Sequence, residues 1–493
     1  MKKYSININF LTLLTSLIML NACSDFLDTN PTSDLPADEV KSLKDAGKIV
    51  NGFYYNMKWY DYYGTPLMVL GETRGDDLRP LREGVGYAAI YNFEFTPSNY
   101  SYSSIWSKAY NTIMNANILL DNWESIEATS DEEEALKNDY KGQALTVRAF
   151  CHFDMAKLYG YPYLKDNGSS LGAVKADKVF SPGEQAERSS VAETYNFVIE
   201  DLNAALPLLS KERTHGNFDY WGAKGLLARV YLYKGDYDNA FKQADELLTD
   251  PNNPYSLIPH DEYVDSWGEP DSPETMLELL TTISSHIDNN GGVDSWYYVM
   301  WHGAGFASGN LVPTDAWLAI MDEDPDDVRH GLIESRSTEG VDYRWLSKFR
   351  GNNGDSDFKI NNPMIIRLSE IYLIAAEAAL RKSSPDQSKA DNYLHAIRER
   401  ANPAAAKITA TPELVLKEKR KELIGEGHRY YDLGRLGLSV NRDTPDSKLP
   451  ANSDYKVVDP WNRSGDQYQV ILPMSQSERL TNPAAKQNPG YPD

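Results

Sequence analysis

Apolar residues recur along most of this chain at three- and four-residue spacing, the mark of helices that bury one face. Over residues 104–123 the stripe is Ile105, Ala109, Ile113, Ala116 and Leu120. A second helix over 132–158 carries Tyr140, Ala144, Val147, Cys151 and Met155 on one side. Cys151 in that stripe reads as a small core residue rather than a redox thiol. Residues 53–60 are also helix-like, with Tyr54 and Met57 directed at the core.

Residues 189–249 are expected to hold two more helices and then a helical hairpin. The hairpin's first helix runs from Ala223 through Ala228 to Tyr231, turns at Lys234-Gly235-Asp236-Tyr237 and resumes from Asn239-Ala240 to Leu248. Gly235 supplies the turn, and Ala228 and Ala240 permit close approach, so the unit resembles a tetratricopeptide pair. Further helices are expected over 366–381, 387–400 and 412–433, with Ile371, Ala375, Ala378 and Ala379 as a small-residue stripe. Stacked hairpins share a continuous core, which makes the expected fold mainly α. Residues 251–362 differ: Pro, Gly, Asn, Asp and aromatic residues dominate and helical periods are few, so this part is expected to be loop-rich and at the surface.

The first residues read as an address. Lys2 and Lys3 precede an apolar run from Phe10 to Leu20, too short for a hydrocarbon core that takes about 20 helical residues, so the segment predicts a secretory signal. The run ends at Leu20-Asn21-Ala22-Cys23, which resembles a bacterial lipobox. Residues 1–22 are therefore expected to be a lipoprotein signal peptide, Cys23 the lipidated residue and 23–40 a polar tether, with acyl chains anchoring the protein to a membrane. Ser24-Asp25 resembles the acidic export signals of surface lipoproteins. The body divides into an N-terminal helical region, 41–250, and a C-terminal region, 251–493, loop-rich and then helical.

Charge and motifs narrow the chemistry. Asp and Glu total 72 against 49 Lys and Arg, a net charge of −23 without any dense basic run, which argues against nucleic acid and favours neutral ligands. Two cysteines exclude a disulfide framework. No zinc-protease, phosphate-loop, nucleophile-elbow or dinucleotide motif is present and the histidines are scattered, so neither cofactor nor metal is expected. The acidic run from Asp322 to Asp327 lacks the Gly and Glu of a calcium loop, with Asp327 and Ile333 in their places, and reads as solvated.

The 32 Tyr and 10 Trp are unevenly placed. Trp296-Tyr297-Tyr298, Trp301 and Phe306 sit among Gly and Asn residues, as an exposed loop would. Flat ring faces of this kind pack against the C–H faces of sugars, whose hydroxyls need polar partners.

Spaced motifs then carry a family resemblance. Phe26-Leu27-Asp28 follows Cys23; Gly71-Glu72, Asp76-Asp77, Trp106, Tyr110 and Asn117 come next, then Gly142-Gln143-Ala144 and Arg148-Ala149-Phe150. Arg367, Glu370, Ala376-Glu377-Ala378 and Ile397-Arg398 follow. The most specific stretch is Lys419-Arg420-Lys421-Glu422-Leu423 running into Glu426-Gly427-His428-Arg429 and Asp432-Leu433-Gly434-Arg435, before a close on Asn488-Pro489-Gly490-Tyr491. In this order they resemble the SusD-like, or RagB/SusD, outer-membrane nutrient-binding lipoproteins.

The resemblance implies a SusD-like fold, tetratricopeptide-like hairpins intertwined with a loop-rich ligand-binding half. It further implies a non-catalytic protein on the outside of the outer membrane that captures a neutral oligosaccharide or polysaccharide, or a peptide in some relatives. Capture would serve delivery to a SusC-like TonB-dependent transporter. Segments around 76–82, 99–102 and 296–301 are expected to form the site, with Trp296, Tyr297 and Trp301 stacking on the ligand and Asp77, Arg79 and Asn99 as polar partners. The competing reading is a secreted glycoside hydrolase of helical fold, which needs a carboxylate pair that the sequence cannot locate.

Overall fold

The structure, a computed structural model, describes residues 40–59, 61–81, 87–98, 100–281, 310–338, 341–349, 361–442 and 470–492. The signal peptide, Cys23, Asn99, Trp296, Tyr297 and Trp301 lie outside the described residues. The principal elements in the first half are α1 (Leu43–Met57), α2 (Pro66–Thr73), β1 (Leu78–Pro80), α3 (Tyr100–Asp121), α4 (Asp131–Tyr159), β2 (Leu171–Val174), β3 (Arg188–Ser190), α5 (Val191–Ala205), α6 (Tyr220–Lys234) and α7 (Tyr237–Thr249). After them come β4 (Thr275–Glu278), β5 (Leu311–Pro313), α8 (Asp315–Met321), β6 (Ile333–Thr338), β7 (Val341–Leu346), β8 (Met364–Arg367), α9 (Leu368–Arg381), α10 (Gln387–Ala401), α11 (Pro412–Leu423), α12 (Arg429–Arg435) and α13 (Gln476–Thr481).

Local chemistry sets the helix ends. Ser130 accepts from the Glu133 N–H at the start of α4, whose first turn, Asp131 to Glu134, complements the helix dipole. Ser190 and Glu193 form a reciprocal capping box on α5. Gly235, at φ +76°, ends α6 in the left-handed conformation that a glycine adopts without strain, and Asp236 then caps α7. The α6–α7 hairpin of the sequence reading is thus present, with Ala228 and Ala240 fully buried in it.

Neighbouring helices pack in sequence order, α3 on α4, α4 on α5, α6 on α7, while α9 packs on α7 and on α10. One hydrophobic cluster runs from Val40 to Tyr491 and takes residues from both sides of position 250. Cys151 is fully buried in it and unpaired, and burial pushes its thiol pKa up, away from thiolate chemistry. No described helix is long and apolar enough to cross a membrane.

Two expectations are corrected. Only α5 precedes the hairpin, where two helices were expected: after Leu206 the chain turns through Pro207 and a polar stretch to Gly216, at φ +87°, before Asp219 caps α6. The single helix expected over 412–433 is broken into α11 and α12 by Gly425 and Gly427, at φ +81° and +79°. That break lets Gly427 meet α2: a Cβ on Gly71 would stand 2.1 Å from the Gly427 carbonyl oxygen. Residues 251–362 are indeed rich in loops where described, but they also supply strands β4 to β7.

A buried charge network ties the C-terminal motif to the rest. Arg367, at the start of α9, reaches Glu274 at 3.0 Å, Glu422 at 2.6 Å and Glu426 at 2.7 Å. Arg400 reaches Glu274 at 2.8 Å, and Arg329 reaches Glu418 at 2.6 Å and Glu422 at 3.0 Å. The acidic run is only partly solvated as a result. Asp327 is buried against Arg329 (2.7 Å) and Lys421 (2.8 Å). Burial opposes its charge, but these cations hold its carboxyl well below the usual range.

Candidate functional site

The loop-bearing end is organised by two very short strands. β1 pairs antiparallel with β5, Arg79 opposite Val312. The Leu81 N–H donates to the Asn310 carbonyl at 2.8 Å, and the Thr314 N–H to that of Asp77 at 2.8 Å. β5 also packs on β7, where Leu81, Val312 and Trp345 make a small apolar cluster with Tyr343 against it. The flanks of 82–86 and of 282–309, more than 200 positions apart in sequence, are thereby joined side by side.

Arginines secure the base of this platform. Arg429 Nε donates to Asp76 Oδ1 at 2.6 Å, and Arg420 Nε to Asp77 Oδ1 at 2.9 Å. Burial works against the Asp76 carboxylate, yet Arg429 beside it leaves its pKa lowered. Arg442, next to residues 443–469, donates to the carbonyls of Gly75 (3.0 Å), Thr73 (3.0 Å) and Tyr91 (2.7 Å) and lies over the Tyr91 ring. Segments 73–77, 91 and 442 are therefore held by one guanidinium.

Asp77 and Arg79 are not displayed as ligand partners in this conformation: they are 1% and 2% exposed. Asp77 is committed to Arg420, and an Arg79 N–H donates to the Pro80 carbonyl at 3.1 Å. Both position the strand that leads to 82–86. The polar character that nominates them from sequence serves burial, since a buried charge is kept only when paired. Sequence reasoning uses 419–435 for the family resemblance, assigns it no site residue, and so misses Arg429 and Arg420 as the partners of Asp76 and Asp77. The alternation of acid and base in both stretches is the signal that could have matched them.

Glu72 sits below the same corner, fully buried, accepting from the Gly427 N–H at 2.7 Å and the His428 N–H at 3.2 Å. Burial, then the charge of Asp77, pushes its pKa up to about 8. Among the aromatic residues of 53–63, Tyr62 and Tyr63 both donate to Asp154 Oδ2, at 2.8 and 2.7 Å, and Tyr54 accepts from the Phe218 N–H, so all three are core residues. Tyr55 and Trp59 remain partly exposed, with the Lys108 ammonium 4.1 Å from the Trp59 ring centroid. Among the described residues, no group of three His, Cys, Asp or Glu side chains is arranged to hold a metal ion.

The fold and this corner define a helical-hairpin scaffold that carries a short strand platform at its loop-bearing end. Residues 286–491 match the model of the SusD family, and residues 25–232 match a family described as starch-binding associating with outer membrane. Neither description is of an enzyme family. A SusD superfamily protein of Bacteroides vulgatus, known from its crystal structure, is 33% identical, with 92% of this chain and 100% of that one covered and a TM-score of 0.81. A SusD-like protein of Bacteroides ovatus is 23% identical over 86% of this chain and 81% of that protein. A laminarin binding SusD-like protein of solved structure, 21% identical, shares the fold at a TM-score of 0.72 over 91% of this chain and 99% of that one. The chain belongs to the SusD family.

Proposed function

We propose that this protein is a non-catalytic, lipid-anchored glycan-binding protein of the outer cell surface that hands its ligand to a TonB-dependent β-barrel transporter. The likeness over 92% of the chain to a SusD superfamily structure carries this reading. The family description that mentions starch binding and the outer membrane supports the ligand class and location, and the laminarin-binding neighbour bears on the ligand class alone. The lipobox ending at Cys23 supports the anchor. A net charge of −23 favours a neutral polysaccharide over an anionic one.

In this reading Trp296, Tyr297 and Trp301 provide ring faces and Asn99 an amide, while Asp77 and Arg79 act as positioning residues for β1. The pairing of Leu81 with Asn310 favours it, because it sets the flanks of 82–86 and 282–309 together. Capture needs no bond to be made or broken. Ligand held between the lipoprotein and the barrel is committed when the lipoprotein closes over the barrel as a lid, and transport energy comes through the barrel.

Affinity purification of the tagged full-length protein from mildly solubilised outer membranes tests the partnership. A large β-barrel transporter is expected at near-equal stoichiometry. Recovery of the lipoprotein alone, at low salt and in mild detergent, would contradict it.

A further inference from the structure

Residues 279–281, which lead from β4 into 282–309, are held by groups from three separate parts of the chain. The Leu279 N–H donates to the Pro363 carbonyl at 3.0 Å and the Thr281 N–H to Asn362 Oδ1 at 2.9 Å. The Leu280 carbonyl accepts from Lys58 Nζ, beyond the end of α1, at 3.0 Å. The polar stretch between α5 and α6 packs here as well: a Cβ on Gly216 would stand 2.6 Å from Leu280 Cδ1, and the neighbouring His215 places its Nε2 2.5 Å from Glu278 Oε1 at the end of β4.

Glu278 is buried, and its Oε1 also accepts the Asp271 N–H at 2.9 Å. Asp271 is bound in turn by Arg213, whose Nη2 donates to its Oδ1 at 2.6 Å and to the Ser272 carbonyl at 2.7 Å. Arg213, His215, Asp271 and Glu278 thus form one chain of charged groups between the α5–α6 connection and β4, with Glu269 lining the same crevice as Glu278. Among these side-chain types, histidine is the one that ordinarily changes charge between pH 5 and 8. The hydrogen bond to Glu278 is the largest influence on the His215 imidazole and raises its pKa above the ordinary 6.5, with the Glu278 and Asp271 charges assisting and burial and Arg213 opposing. The bond is therefore charge-assisted below pH 6.5, and that charge is given up as pH rises through the raised value. A neutral ring can still donate one N–H, but such a bond is about half as strong.

We infer that His215 is a positioning residue: through Glu278 it clasps the root of 282–309, the segment that carries Trp296 and Trp301, and it loosens that hold when the imidazole loses its proton. Glycan affinity then falls as pH rises. The effect on affinity rests on the glycan-binding reading above, whereas the clasp does not. Loss of the imidazole charge is expected to increase local opening of 279–281 about tenfold and to weaken glycan affinity about threefold.

The test compares the full-length protein with its His215→Gln variant between about pH 5.5 and pH 8.5. The His215 side chain is 35% exposed, so the variant is expected to fold. Hydrogen-exchange mass spectrometry, corrected for the intrinsic pH dependence of exchange, reads the protection of the Leu279 and Thr281 amides. Protection in the parent protein is expected to fall about tenfold across that range, and in the variant to stay flat at the lower level. Protection that does not change with pH in the parent, or a change that survives in the variant, overturns the clasp. Affinity for starch and for laminarin is measured on the same samples. A fall with pH in the parent alone supports the positioning role, and affinity independent of pH in the parent overturns it. If neither glycan binds at any pH, the ligand class fails instead, and the exchange result still decides the clasp.

Discussion

Arg367 and Glu422 meet at 2.6 Å, with 1% and 0% of their surfaces exposed, where β8, α9 and α11 converge. Burial alone would raise the Glu422 carboxyl, but Arg400, Arg367 and Arg329 hold it well below the usual range, so it stays ionised. The pair fastens the C-terminal motif to the start of the α9–α10 hairpin, and through Glu274 to β4.

Breaking that network from one side leaves buried charge uncompensated. Glu422→Gln is expected to destabilise the protein by about 3–5 kcal/mol, measured by urea denaturation. A loss below about 1 kcal/mol would show that the three arginines do not depend on it.

Gly71 and Gly427 form a backbone contact that tolerates no side chain. Gly71→Ala would press a Cβ to 2.1 Å from the Gly427 carbonyl oxygen and is expected to cost about 3 kcal/mol. Gly52, inside α1, has nothing within 4 Å of its would-be Cβ, so Gly52→Ala is expected to stabilise by about 0.5–1 kcal/mol. Thermal melts of the two variants should move in opposite directions.

Glu72 makes stability fall as pH rises. Its folded pKa of about 8 lies above the ordinary 4.5, so from pH 4.5 upward the unfolded chain gives up a proton that the folded protein keeps. The penalty grows to roughly 3 kcal/mol by pH 7 and levels off above pH 8. Glu72→Gln, which can still accept from Gly427 and His428, should remove this slope in denaturation curves taken between pH 5 and 8. An unchanged slope would place Glu72 outside the titrating set.

His152 and His428 act in the opposite sense. Burial, the largest influence on each, lowers both imidazoles from 6.5 to about 4, so they stay neutral in the folded protein. Below pH 6.5 the unfolded chain takes up protons that the folded one refuses, and stability drains away toward pH 4. His428→Gln should remove about half of the histidine contribution, read as a shallower acid limb than that of the parent protein.

The sequence showed most clearly those elements whose physics is local. Ile105, Ala109, Ile113 and Ala116 are all fully buried on α3, and Gly235 turns the α6–α7 hairpin. Less legible were features fixed by distant partners. β1 and β5, at three residues each, are too short for an alternating pattern, and their pairing spans the sequence from Leu78 to Pro313. The 412–433 pattern looks continuous because Gly425 and Gly427 break it to reach α2, which local periodicity cannot see. Asp77 and Arg79 look like surface polar residues until Arg420, 343 positions away from Asp77, is known to be beside it.

The central claim is glycan capture, and affinity for neutral polysaccharides tests it most directly. The purified full-length protein should be slowed in native gels containing starch, laminarin or another neutral glycan, and Trp296→Ala with Trp301→Ala should reduce that affinity at least tenfold. Migration unaffected by every neutral glycan, or affinity unchanged in the double variant, would contradict the account: the first outcome removes the ligand class, and the second removes the site.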